Sequence, residues 1–111
     1  MTAGHTATLS EPISKQPNGI VMVWSRFSGD AVRDYHFAHF FVSKKFVELH
    51  PGAGSNFIMA TADAFDVMSS KYIYIHDDKI VGNDINNEAG TGLSGIIYDN
   101  AGFVLRYVIG V

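Results

Sequence analysis

The chain has 111 residues, 47% of them apolar and 13% aromatic, with a formal charge of −3 at pH 7 and no cysteine. That length suits a single domain, 1–111, which buries about two-thirds of the surface its unfolded chain exposes and needs no disulfide or thiolate-metal staple. The acidic balance gives nucleic acid no field to follow, no apolar run reaches the roughly eighteen residues of a membrane span, and no charged-then-apolar secretion signal opens the chain.

Charged residues make up 17% of the chain, against about a quarter in an ordinary globular domain. Interfaces between subunits lose charge and gain aromatics at their centres, so the composition hints at self-association.

Glycine, proline and asparagine clusters cut the sequence into short runs of strand character. "HTATLS" (5–10) alternates weakly and ends in "EPISKQPNG", a loop whose Asn18-Gly19 marks a turn. "IVMVWSRF" (20–27) follows, with Ile20, Met22 and Trp24 facing one way and Val21 and Val23 the other. Both faces are apolar, so a second sheet and a loop, or a partner subunit, must cover them; Val21, Val23 and Trp24 are the candidate subunit-interface residues. "SGDAVRD" is read as a polar loop, "YHFAHFFVS" (35–43) as an aromatic strand, and "KKFVELH" as a short helical turn closed by Pro51-Gly52. "NFIMATA" (56–62) is another strand, and "ADAFDVMSS" a loop or further helical turn. "KYIYIHDDKIVG" is a hairpin turning at Asp77-Asp78, with Tyr72, Tyr74 and His76 on one face and Ile73 and Ile75 on the other. "NDINNEAGTGLSG" is a long polar loop, and a last hairpin is expected between "GIIYD" and "FVLRYVIGV" through Asn100-Ala101-Gly102. These elements predict an all-β fold, a jelly-roll-like antiparallel β-sandwich with at most one or two short helical turns.

Several motifs invite chemistry and fail on their surroundings. "GTGLSG" (90–95) has the Gly-x-Gly-x-x-Gly spacing of a dinucleotide loop, but no strand enters it and no helix leaves it. His36 and His39 would share the face of a helix, yet on a strand an offset of three puts them on opposite faces. Asp84, Asn86 and Glu88 alternate like the start of a calcium loop, but Ala89 stands where glycine is needed and Gly95 where a bidentate Glu belongs. A looser cation site using Asp77, Asp78 or Asp99 stays open at this point. Ser94 lacks the strand-to-helix elbow of a nucleophile, so no catalytic residue, cofactor or metal is assigned. The residue types best suited to a saccharide are Asp30, Arg33, Asp34 and Tyr35 in one loop and Asp84, Asn86 and Asn87 in another, loops at a sandwich end being natural binding sites.

"LSEPISKQPNGIVMVWSRF", "FFVSKKF", "KYIYIHDDKIVGND" and "FVLRYVIGV" together resemble the C-terminal domains of phage and prophage tail fibre or baseplate proteins. That resemblance implies a β-sandwich tip in the virion, a homotrimer joined to the remainder of the fibre or baseplate, binding glycan on the bacterial surface. It also implies the C-terminal fragment of a longer fibre protein. The alternatives are a purely structural trimerisation or capping knob and a polysaccharide depolymerase domain.

Overall fold

Burial along Met68–Ile75 alternates without a break: Ser69, Lys71, Ile73 and Ile75 are buried, and the residues between them are half-covered. That is the period of two that a strand packed on one face imposes. The computed structural model, which describes residues 1–61, 68–92, 95 and 97–111, makes this strand the middle of a four-stranded sheet. Its strands are β1 (Thr6–Thr8), β2 (Gly19–Ser28), β3 (Ala31–Val32), β4 (Ala38–Ser43), β5 (Gly54–Ala60), β6 (Met68–Ile75), β7 (Lys79–Val81), β8 (Ala89–Thr91), β9 (Ile97–Asp99) and β10 (Phe103–Gly110). One helix, α1 (Lys44–Leu49), and 3-10 turns at Ile13–Lys15, Asp84–Asn87 and Asn100–Gly102 complete the described chain.

The first sheet has the order β1-β7-β6-β5, the second places β2 between β10 and β4 with β3 at its far end, and β8 and β9 form a separate ribbon. Every pairing is antiparallel. The two larger sheets face each other across one apolar core, so the expected all-β, sandwich-like architecture is present. Met59, Ile73, Ile75 and Ile80 come from the first sheet, Ile20, Met22, Trp24, Val42 and Phe103 from the second, and Ile13 and Val47 join the same cluster. Each such side chain contributes about 1.5–3 kcal/mol by leaving water. Phe40 and Phe57 meet at 5.1 Å between ring centres, so aromatic contact joins edge strand β4 to edge strand β5.

Local chemistry explains the connections. Ser43 starts α1 as an N-cap, its Oγ accepting the Phe46 N–H at 3.0 Å. The hairpin at Asp77-Asp78 forms as expected, and Asp77 also accepts hydrogen bonds from the Ser14 amide at 2.7 Å and the Ser14 hydroxyl at 2.9 Å. Gly19 has φ 152°, and a Cβ there would collide with the Val42 carbonyl.

Four expectations need correction. The predicted polar loop over 28–34 contains a hairpin: Gly29 and Asp30 both have positive φ (59° and 56°), the geometry of a primed turn that suits the strands' twist, and β3 folds back on β2. The aromatic strand begins at Ala38 and not at Tyr35, because His36 is left-handed (φ 53°) and breaks the extended run. The polar loop over 83–95 holds a 3-10 turn and β8. Finally, β9 pairs with β8 and not with β10, which pairs with β2 in the other sheet. Asp99 caps the Asn100–Gly102 turn by accepting the Ala101 N–H at 3.1 Å, and this turn carries the chain across to the second sheet. In "ADAFDVMSS", Met68–Ser70 belong to β6, and 62–67 lie outside the described residues.

Candidate functional site

The sequence offers Asn86 with Asp84 and Asn87 as a saccharide-binding residue, and the structure corrects this. Its side chain is 1% exposed and is consumed by the fold. Strand β7 pairs with β6 at Tyr74 and Ile75, and among the described residues no strand pairs with the preceding part of that edge of β6. Asn86 takes that place: its Oδ1 accepts the Tyr72 N–H at 2.6 Å, and its Nδ2 donates to the Tyr72 carbonyl at 2.9 Å and the Met1 carbonyl at 2.7 Å. One step along, Asn100 Oδ1 accepts the Ser70 N–H at 2.8 Å and Asn100 Nδ2 donates to the Ile85 carbonyl at 2.9 Å. Two carboxamides thus supply the donor and acceptor pattern of a missing strand, as buried backbone groups require.

Beneath them lies Lys71, which sequence reading assigned no role. It is 1% exposed, and its Nζ donates to the carbonyls of Asn100 and Asn86 and sits 5.7 Å from the centre of the Trp24 ring. Burial pushes its pKa down to about 8, partly opposed by the Asp99 carboxylate. The period-two pattern of β6 was the available signal, because it puts residue 71 on the inner face with Ile73 and Ile75.

The other loop behaves differently. Asp30, Asp34 and Tyr35 are exposed and Arg33 half-buried. Arg33 Nε donates to the Ser28 carbonyl at 3.2 Å and its hydroxyl at 3.3 Å, and Asp34 pairs with Arg106 at 3.2 Å. Asp84 and Asn87 are also exposed, with Asp84 Oδ1 accepting the Ala3 N–H at 3.0 Å. The contacts of the two loops run to different partners, Arg106 and Ser28 for one, Ala3 for the other, so nothing described joins them into one site. Among the described residues no three His, Asp or Glu side chains come together as metal ligands, which leaves the looser cation site over 84–88 without a ligand set. The two flanks of "GTGLSG" form the antiparallel β8–β9 pair, with Gly90 in β8; Leu93, Ser94 and Ile96 lie outside the described residues.

Trp24, grouped with Val21 and Val23 as an interface residue, lies fully buried in the core of its own chain on the opposite face of β2, a second correction. Val21 and Val23 lie on the other face of β2, Val21 half-buried and Val23 buried at 7% exposure. In register across the second sheet, Phe41, Val21 and Ile109 form one row and His39, Val23 and Tyr107 the next. Phe41, Tyr107 and Ile109 are 57%, 51% and 45% exposed. The first sheet is different, because a shallow pocket lined by Ile58, Met68, Ser70, Ile85 and Tyr98 brings its outer face against the β9 ribbon and the Asp84–Asn87 turn. On the second sheet, Arg106 and the segment 33–37 lie across the outer face at Ser25, where Ser25 is fully buried and Val23 is 7% exposed, while Phe41 and Ile109 at the other end stand open.

No described helix is long and apolar enough to cross a membrane. Compared with known protein families, curated proteins and solved structures, the chain has no match.

Proposed function

We propose that this chain is a non-enzymatic receptor-binding tip of a phage or prophage tail fibre or baseplate, a homotrimer in the virion that recognises saccharide on the bacterial surface. The observation that carries the reading is the exposed apolar patch of Phe41, Ile109 and Tyr107 around half-buried Val21 on the outer face of the second sheet. A contiguous apolar patch in a chain with so few charges is the kind of surface that partners cover. Three copies around one axis bury three such faces, and the closed ring leaves the loop at 30–35 repeated in triplicate. Repetition lets weak sites act together, with gains in apparent affinity of about 10²–10⁴. The resemblance of "FFVSKKF", "KYIYIHDDKIVGND" and "FVLRYVIGV" to tail-tip domains supports the same reading.

Light scattering behind a sizing column tests the assembly. The expected mass is three times the 12.1 kDa of the chain, and a monomer at micromolar concentration overturns the trimer. Adsorption of the labelled trimer to host cells tests recognition, with Tyr35→Ala expected to weaken it. A trimer that never adsorbs is the structural knob, and reducing sugar released from host envelope identifies a depolymerase.

A further inference from the structure

Arg106 is the extra residue of a β-bulge. Along β10, Leu105 pairs with Trp24 and Tyr107 with Val23, so Arg106 has no partner on β2. Bulges re-aim a side chain, and this one directs Arg106 across the outer face toward the segment 33–37. Its Nη1 donates to Ser25 Oγ at 3.0 Å, to the Arg33 carbonyl at 3.4 Å and to Asp34 Oδ1 at 3.2 Å, and its Cζ lies 5.7 Å from the centre of the Phe37 ring. The segment itself is tightly held: the Arg33 N–H donates to the Arg26 carbonyl at 2.8 Å, the Arg26 N–H to the Tyr35 carbonyl at 3.2 Å, and His36 is left-handed between them and Phe37. Strain of that kind collects at ligand sites. The outcome is a guanidinium set beside the solvent-facing Phe37 ring, 48% exposed, in a segment that also presents Tyr35 at 51% exposure.

All three arginines of the chain gather at this corner. Arg26 is tied to the Phe27 and Gly102 carbonyls and Arg33 to Ser28, while the five lysines lie elsewhere in the sequence. The carboxylates here are Asp30 at the turn and Asp34. Asp34 reaches Arg106 through a single oxygen, and its side chain is 85% exposed. A guanidinium is built to take a planar oxyanion with two parallel bonds, and a one-point exposed pair of this type is weak.

We propose that Asp34 is an internal stand-in for the oxyanion of the ligand. A carboxylate or phosphodiester carried on a sugar or polyol displaces Asp34 from Arg106, while the carbon skeleton of the ligand lies against Tyr35 or Phe37. This rests on the reading of the chain as a surface-saccharide binder and narrows that ligand to an acidic one, but it requires no trimer. The consequence is opposite to that of a direct ligand: removing the Asp34 charge strengthens binding.

Amide chemical shifts of the labelled protein, followed during titration with glucuronate, glycerophosphoglycerol and glucose, test this. At least one of the two anions is expected to shift Arg33–Phe37 and Arg106 saturably, the responding anion identifying the source, while glucose leaves them still. Asp34→Asn is expected to tighten anion binding by roughly 3- to 5-fold, the weight of one exposed ion pair. Arg106→Gln abolishes the shifts, and Arg106→Lys, which keeps the charge but not the fork, restores them in part; the spectra show whether each variant is folded. No saturable shift from either anion in wild type and Asp34→Asn overturns the proposal. Glucose binding weakened by Asp34→Asn also overturns it, while leaving a neutral-saccharide tip intact.

Discussion

Lys71 sits where a cation is least welcome, 1% exposed, beside the Trp24 ring and held by two carbonyl oxygens. The folded state therefore favours the neutral amine, and the pKa falls from 10.5 to about 8. Below pH 8 both folded and unfolded chains carry the proton, and the folded chain bears the cost of the buried charge. Between pH 8 and 10.5 the unfolded chain binds more protons than the folded one, so stability rises with pH across that window. The rise is up to about 3 kcal/mol, at 1.36 kcal/mol for each pKa unit. Urea midpoints at pH 7.5, 9 and 10 measure it, with Lys71→Met as the reference that lacks the titrating group. An identical pH dependence in the two proteins would refute the assignment. Sequence alone put Lys71 on the inner face by parity but could not say what it meets there, because the two carbonyls arrive from residues fifteen and twenty-nine positions away.

Among the elements, the edge of β6 at Tyr72 shows how a loop can do the work of a strand. Asn86 and Asn87 are neighbours of identical type in a polar run, yet one is locked against Tyr72 and the other faces water. Asn86→Ala strips partners from the Tyr72 N–H and carbonyl together, and each buried group left unsatisfied costs about 1–3 kcal/mol. A loss of roughly 2–4 kcal/mol is expected in chemical denaturation, while Asn87→Ala stays within about 0.5 kcal/mol. Equal effects from the two would mean that the carboxamide does not complete the sheet. Legibility tracks locality throughout. Period-two alternation exposed β2 and β6, the Asp77-Asp78 turn marked the β6–β7 hairpin, and Phe46 and Leu49 beside Pro51 marked α1. Two features needed tertiary information. Ala89–Thr91 carries no apolar pattern, so its pairing with Ile97–Asp99 was invisible. The bulge at Arg106 shifts parity without a glycine to announce it. The hairpin at Gly29-Asp30, by contrast, carries a local signal, two turn formers between strand-like runs.

At the scale of the molecule, both outer faces keep apolar side chains exposed. The first sheet borders the ribbon and the Asp84–Asn87 turn around a shallow pocket but leaves Ile58 exposed, while the second exposes Phe41, Ile109 and Tyr107 beside half-buried Val21. If a partner copy covers that face, a charge placed on it must be desolvated in the assembly but not in the single chain. Phe41→Lys and Ile109→Lys are therefore expected to shift the mass measured by light scattering from trimer to monomer at micromolar concentration. Both side chains are largely exposed, so the fold of the single chain changes little, within about 0.5 kcal/mol for a surface site of this kind. Ile58, 62% exposed on the first sheet, gives the matched control: Ile58→Lys adds the same charge to the opposite side and leaves the trimer whole. Dissociation by Ile58→Lys and not by Phe41→Lys would move the interface to the first sheet and leave the exposed patch on the second without a role. Dissociation confined to Phe41→Lys and Ile109→Lys assigns Val21, which lies between them in register, to the interface and gives the low charge of the chain its physical reason.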